Sequence, residues 1–348
     1  MKKATSIFIF CICLISMLQA GDKDSIATLP LKYDTNYIVN YQYHIQIRGL
    51  GLNRQSSISL LNTEEDENIN FSTNNPFSFG IAVDYSWVSL EYTNSIKGFE
   101  LTDSRKGNTE SSAFRLRFNG RKFSGSLFLR NTFGFYLENV EEWVPDWFEE
   151  HENYPGSDDL NTQIIAGSIY YTFNHRKFSN AAAYKQSDRQ IKSAGSPLIG
   201  LLANIEGISS KIPMISSDSL VDKFLNISRV RYLKTGIFGG YMHTFSINKR
   251  LFIHGALNQG VMYSIGRGEY HDTNEIKKLN AIGVSVFARL ALGYNGSKWF
   301  AGSLFSADFF ISDVSSELTS STGYTYFKIY LGYRFKLWDQ PLIKKLHL

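Results

Sequence analysis

Cysteine is nearly missing from this chain of 348 residues: it has two, Cys11 and Cys13, both at the extreme N-terminus. Disulfide scaffolds and cysteine-ligated zinc sites are therefore excluded from the remainder. Proline is scarce at 7, and no run of lysine or arginine exceeds two residues, while basic and acidic side chains number 36 and 32, a net +4. That balance carries no nucleic-acid signature. Long apolar runs are missing as well. Ala281–Leu292, the best candidate, is interrupted by Arg289, so transmembrane helices are not expected. What the chain has in abundance is aromatic residues: 26 Phe, 20 Tyr and 5 Trp, 15% of the whole, with 27 Gly.

The N-terminus has the layout of a secretory signal peptide. Lys2 and Lys3 precede an apolar stretch from Ile7 to Leu18, followed by small residues at Ala20 and Gly21. The stretch is too short to span a bilayer as a helix, which needs about 20 residues. Cleavage after Ala20 is expected, leaving a mature protein without cysteine. An exported protein of this size without disulfides must find its stability in a closed core or in a membrane.

From Phe77 to Phe335 the dominant pattern is alternation with period two. In 122–137, Phe123, Leu127, Leu129, Phe133, Phe135 and Leu137 share one phase, and Lys122, Ser124, Ser126, Arg130, Thr132 and Gly134 the other. In 279–295, Ile282, Val284, Val286, Leu290, Leu292 and Tyr294 oppose Gly283, Ser285, Arg289, Gly293 and Asn295. In the last segment Phe327, Ile329, Leu331, Tyr333 and Phe335 oppose Lys328, Tyr330, Gly332 and Arg334. Such strands belong between an apolar and a polar environment.

The connections alternate too. Short turns stand at Asn119-Gly120, Asn174-His175, Asn248-Lys249 and Asn295-Gly296, and long polar loops near 62–75, 98–109, 138–160, 191–228, 267–278 and 312–322. Asn-Gly is a strong two-residue hairpin signal. Brief turns on one side and long loops on the other are the asymmetry of outer-membrane barrels. All five tryptophans fall near proposed strand ends or in an outer loop, where amphipathic rings favour the membrane interface. The expected fold is therefore an all-β transmembrane antiparallel barrel of about twelve strands: 52–61, 77–85, 87–97, 110–119, 122–137, 161–174, 177–190, 229–246, 250–266, 279–295, 298–311 and 323–336. Residues 21–50 are expected in the periplasm or the lumen, 51–336 in the barrel and 337–348 in a periplasmic tail. Leu198–Ile205 could extend a further strand. A soluble β-sandwich would also alternate, but with shorter strands and more even turns.

Two tracts carry a resemblance. Gln190-Ile191-Lys192-Ser193-Ala194-Gly195-Ser196-Pro197-Leu198-Ile199-Gly200, and Asn75-Pro76-Phe77-Ser78-Phe79-Gly80 leading into a strand, resemble an uncharacterised exported family of Bacteroidetes-type bacteria, domain of unknown function 4421. The resemblance implies an outer-membrane barrel and brings no catalytic residue with it. Lys192, Ser193, Gly195 and Ser196 are its marked positions.

A charge on the lipid face near the midplane costs about 2–4 kcal/mol, so charges within strands are expected to face the lumen. Arg115, Arg117, Arg130, Lys185, Arg189, Arg289, Lys328 and Arg334 fall on the polar phase, against Asp84, Glu91 and Asp308. This predicts a basic lumen, read either as a narrow channel for anions or as a packed interior in which the cations pair with acids and carbonyls. Residues 21–50 or 191–228 could enter as a plug. The outer loops are acidic at Glu64–Glu67 and between Glu138 and Asp159. Hard cations could bridge them, but no calcium-loop spacing is present. A lipid-modifying Ser–His enzyme and a surface adhesion or docking protein remain alternatives, although His243 and His254 read as lumenal neighbours with no serine in reach. No cofactor or metal is expected. The expected partners are outer-membrane lipid, lipopolysaccharide and the barrel assembly machinery.

Overall fold

The computed structural model describes residues 33–41, 43–62, 67–74, 77–96, 103–209, 227–270, 276–313 and 318–336. The expected signal peptide, the tail 337–348 and Trp338 lie outside them. Fifteen strands are described: β1 Ile38–Asn40, β2 His44–Asn62, β3 Glu67–Ser72, β4 Phe77–Tyr85, β5 Val88–Ser95, β6 Glu110–Asn119, β7 Phe123–Leu137, β8 Gly156–Thr172, β9 Asp188–Gln190, β10 Ala194–Ser209, β11 Ile227–Ser246, β12 Leu251–Tyr270, β13 Ile276–Asn295, β14 Trp299–Asp313 and β15 Leu318–Lys336. Three short helices join them: α1 Val140–Trp143, α2 Trp147–Glu150 and α3 Asn180–Tyr184.

Thirteen of the strands form one antiparallel sheet that closes on itself where β15 pairs with β2, from Leu318↔Asn62 to Lys336↔His44. β3 and β4 are a single crossing interrupted at Thr73 and Asn74, since both pair with β2, at 57–62 and 45–53. The wall is thus a closed barrel of twelve strands with no free edge. Closure leaves every backbone donor and acceptor of the wall within reach of a neighbour, the condition for a sheet in hydrocarbon.

The outward face is the apolar phase. Ile81, Ile165, Ile169, Ile199, Leu201, Ile237, Leu257, Val261, Ile282, Leu290, Ile329 and Leu331 are all exposed in the isolated chain. Trp87 and Trp299 stand at the ends of this band that carry the short turns. An exposed band of this kind, running round a closed barrel, is stable only against acyl chains. The protein is a membrane-spanning barrel of the outer-membrane type.

Three sequence expectations need correction. Residues 177–190 are not a wall strand. The chain turns inward after Thr172, forms α3 and β9, and rejoins the wall at β10, so the seventh wall strand is 194–209. The two similar turns, Phe118–Phe123 and Phe173–Phe178, therefore do different work: Phe123 is 58% exposed on the outer face, whereas Phe178 is 1% exposed inside. The barrel also starts at His44, upstream of residue 51. Finally, Phe135 and Leu137 are not on the lipid face. A bulge shifts the β7–β8 register between Phe133 and Phe135, with Gly134 at φ +81° and the Asn108 carbonyl pressed against it where a Cβ would stand. One extra residue reverses every side chain beyond it, sending Phe135 and Leu137 inward.

Candidate functional site

The interior is filled in layers. At the end of the short turns sits a plug made of two segments, 33–41 and 173–193. β1 pairs with β9 (Ile38↔Gln190, Val39↔Arg189, Asn40↔Asp188), and the Asp34 and Tyr41 amides donate to Arg176 O and Ser187 O. The plug is fastened to the wall by polar contacts. Arg334 Nη2 donates to Gln186 O (2.5 Å) and Asn295 Oδ1 (2.6 Å), Gln186 Nε2 to Tyr330 Oη (2.7 Å), and Lys185 Nζ to Ser86 O (2.8 Å). Arg121 pairs with Asp188 at 2.9 Å. Phe178 adds an apolar contact with Leu198, Leu202, Phe238 and Met242 of the wall.

The resemblance tract is where the plug is pinned at its neck. Asn174, where the chain leaves the wall, donates its amide to Ser196 Oγ (2.8 Å) and its Nδ2 to Gly195 O (2.8 Å). Ser193 Oγ accepts from the Ser246 amide (3.0 Å), and Lys192 O from Gln190 Nε2 (2.9 Å). Gly195 and Ser196 thus tie the two ends of the plug loop together, while Ser193 joins the loop to β11.

The far end of the lumen is apolar. Ile58, Ile69, Phe71, Phe135, Leu137, Val140, Leu160 and Ile208 form a buried cluster, with Trp143, Trp147, Phe148 and Tyr154 packed against it. Trp143 and Trp147 therefore cap this cluster rather than belonging to an interfacial belt, and Trp143 Nε1 donates to Asn68 O (3.1 Å). The loop that carries them is anchored through Val140, which is 2% exposed.

Between plug and cluster lies the charged layer. Arg48 grips Asp84 with two nitrogens, Nε to Oδ2 (2.8 Å) and Nη2 to Oδ1 (3.0 Å), both side chains being fully buried. Glu91 receives Arg117 (3.1 Å) and Lys328 (2.9 Å), Glu206 receives Lys234 (2.8 Å), and Asp308 pairs with Arg289 (2.6 Å). Asp84, Glu91 and Asp308, the three acids named from the sequence, are thus paired with cations, and Glu206 with Lys234 is a fourth pair that the sequence did not point to. Of the predicted basic residues, Arg115, Arg117, Arg130 and Arg289 converge on one chamber, and Lys328 lies beside it through Glu91. Arg334 belongs to the plug contacts. Arg189 and Lys185 sit on the plug itself, contrary to their expected place in the wall.

The chamber has a volume of about 230 Å³ and is lined by Arg54, Arg115, Arg117, Arg130 and Arg289 with a single acid, Asp308. Arg117 and Arg289 have carboxylate partners. Arg54, Arg115 and Arg130 have none among the described residues. Arg54 Nη2 donates to Thr93 Oγ1 (2.5 Å) and Arg115 Nη1 to Tyr326 Oη (3.1 Å), whereas Arg54 Nη1 and Arg130 Nε and Nη2 are buried without a partner. Arg115 and Arg130 flank the Phe128 ring at 4.3 and 5.9 Å, and Arg130 lies 4.4 Å above Tyr324. An aromatic ladder runs round the opposite wall, Tyr170–Phe238–Phe287–Phe310–Tyr324, with centroids 5.6–6.2 Å apart.

Arg48, Arg54, Lys234 and Glu206 belong to this layer but carry weak sequence signals. The inward phase of β2 mixes Arg48 and Arg54 with Leu50, Leu52 and Ile58, while its outer half presents Asn53, Gln55 and Ser57 outward. Polarity there does not separate the two faces.

His243 and His254 are not neighbours on one face. Thr244 is opposite His254 and Gly255 opposite His243, so His254 points inward to Thr244 Oγ1 (2.9 Å) and Tyr184 Oη (3.0 Å), and His243 outward beside Tyr241 and Phe245. Among the described residues no serine hydroxyl is hydrogen-bonded to a histidine ring.

A family model described as a domain of unknown function (DUF4421) matches residues 32–335. The chain belongs to this family. No curated protein sequence matches. Solved structures similar to it include the outer-membrane protease OmpT of Escherichia coli, at 9% identity and TM-score 0.41, covering 85% of this chain and 98% of that one. The toluene transporter TodX of Pseudomonas putida has 10% identity, TM-score 0.30 and coverages of 83% and 90%. The attachment invasion locus protein Ail of Yersinia pestis has 8% identity, TM-score 0.23 and coverages of 83% and 99%.

Lys185 gives the plug a pH dependence. Burial, opposed by Asp84 and Asp188, pushes its ammonium down to about 8 from an ordinary value of 10.5. The folded state then binds fewer protons than the unfolded chain between those values. Its contribution to stability is full above pH 10.5 and is lost as pH falls through 8. The expected result is that wild type gains about 2 kcal/mol from pH 7.5 to 10 relative to Lys185→Met. Denaturant unfolding of both proteins at the two pH values checks this, and equal slopes would refute it.

Proposed function

We propose that this family member is a plugged outer-membrane barrel that passes small anions, with residues 33–41 and 173–193 as its stopper and the arginine layer as its selectivity element. The observation that carries this reading is the chamber lined by five arginines and one aspartate. Three guanidiniums with no carboxylate partner among the described residues, in a confined and weakly polar space, lower the barrier to an anion and raise it to a cation. The plug is held mostly by hydrogen bonds and ion pairs, which water and a passing ion can replace. Export would proceed through a signal peptide removed near Ala20, and insertion through recognition of the last strand, whose outward phase ends in Tyr333 and Phe335. The surrounding partners would be lipid and lipopolysaccharide of a Gram-negative envelope.

The test is ion selectivity in planar bilayers. Reconstituted protein is expected to show infrequent anion-selective steps, and replacing Arg54, Arg115 and Arg130 together by Ser to shift the reversal potential towards cation selectivity. Unchanged selectivity in that variant would defeat the reading.

A further inference from the structure

The arginine chamber is half cationic and half greasy. One side presents Arg54, Arg115 and Arg130, and the other Leu198, Leu202, Phe238, Phe287 and Phe310, with Arg289 on that side already neutralised by Asp308. Arg54 and Arg130 are each only 6% exposed, with three buried guanidinium nitrogens lacking any acceptor. A buried cation without a counter-charge is costly, and three facing one chamber add mutual repulsion. The natural relief is an anion seated among them.

An inorganic ion would satisfy the arginines but leave the aromatic ladder against water or empty space. A neutral hydrocarbon would fill the ladder but leave the arginines unpaired. We infer that the chamber is a binding site for a compact organic monocarboxylate, its carboxylate held between Arg54, Arg115 and Arg130 and its apolar body lying along Phe238, Phe287 and Phe310. A guanidinium presents its donors in a planar fork that matches a carboxylate. Size supports the same class. An apolar cavity of about 150 Å³ holds benzene, so 230 Å³ accommodates a ring that also carries a carboxylate, about nine heavy atoms by proportion. Phe128 and Tyr324, on which Arg115 and Arg130 rest at 4.3 and 4.4 Å, restrict the freedom of both guanidiniums.

This inference deepens the anion reading above and rests on it for the direction of access, but binding is measurable without conduction. The full-length protein in lipid nanodiscs is titrated calorimetrically with benzoate, benzyl alcohol, acetate and inorganic phosphate. Benzoate is expected to bind saturably at one site. The other three are expected to bind about tenfold or more weakly, since each lacks either the charge or the apolar body. Arg130→Gln and Arg54→Lys should each weaken benzoate about tenfold while the barrel keeps its heat-modifiable folded form. Arg54→Lys retains the charge and loses the fork, so a folding defect does not mask the result. Absence of benzoate binding to wild type overturns the site. Equal binding of benzyl alcohol would make it an apolar cavity, and equal binding of phosphate an inorganic-anion site; either overturns the inference. Benzoate binding with silent bilayers removes the conduit and keeps the site, whereas anion conduction without benzoate binding does the reverse.

Discussion

Asp84→Asn is expected to destabilise the barrel by about 3–5 kcal/mol, the size found when one partner of a buried ion pair is removed. Arg48 is 0% exposed, and besides Asp84 its hydrogen-bond partners among the described residues are Ser89 Oγ (3.3 Å) and Tyr184 O (3.4 Å). Asparagine keeps the shape but offers one acceptor where two stood, and it leaves the guanidinium without a carboxylate in direct contact. The effect should extend to the plug, because Tyr184 closes α3 and its carbonyl takes one of the guanidinium's remaining donors. Replacing both partners, Arg48→Met with Asp84→Leu, is expected to recover most of the loss, since two apolar groups carry no desolvation penalty. Urea unfolding in bicelles, followed by tryptophan fluorescence, measures all three. A loss below about 1 kcal/mol for Asp84→Asn would mean the pair behaves as a solvated surface bridge.

Excising the larger segment of the plug should convert a nearly closed barrel into a conducting one. The ends of the excursion meet at the Asn174–Gly195 hydrogen bond of 2.8 Å, so residues 175–192 can be replaced by a short Gly-Ser turn without straining β8 or β10. Twelve strands enclose more than the eight whose side chains fill their own interior. Removing 175–192 takes away α3, β9, Phe178 and the contacts of Gln186 and Asp188 in one step, leaving the 33–41 segment without its β9 partner. Conductance is expected to rise on the order of tenfold, given the width freed in a barrel of this size. The variant should retain a heat-modifiable folded form, because β8 pairs with β10 through 12 residue pairs that the excision leaves intact. If the folded variant conducts no better than wild type, the apolar cluster around Phe71, Phe135 and Leu137 is the barrier and the plug is not the gate.

The errors in reading the chain have a common origin. Period two reports that a segment has two faces, but not what lies on the far side of the wet one. Residues 177–190 pass between polar and apolar surroundings inside the lumen and so imitate a wall strand. Residues 194–209 are wall, yet their inward Leu198 and Leu202 meet Phe178 of the plug, leaving both faces apolar and the alternation blurred. The count of twelve survives because one segment stands in for the other. At β7 a single glycine reverses the phase of Phe135 and Leu137, which alternation beyond it cannot reveal. Arg115, Arg117, Arg130 and Arg289 were legible as lumenal because a charge facing lipid near the midplane is penalised. Arg48 and Arg54 were not, since β2 mixes leucine with arginine on its inner face.

By itself the amino-acid order determined that the protein is a barrel, which of its strands bear an oily side, and that cations point away from it, because solvation by acyl chains acts on each segment locally. Only the tertiary structure decided which cations keep a carboxylate and which three, among the described residues, do not, and that two distant stretches fold back to stop one end. Those outcomes depend on side chains from strands far apart in sequence meeting in one interior, where pairing is settled by geometry that no local pattern encodes.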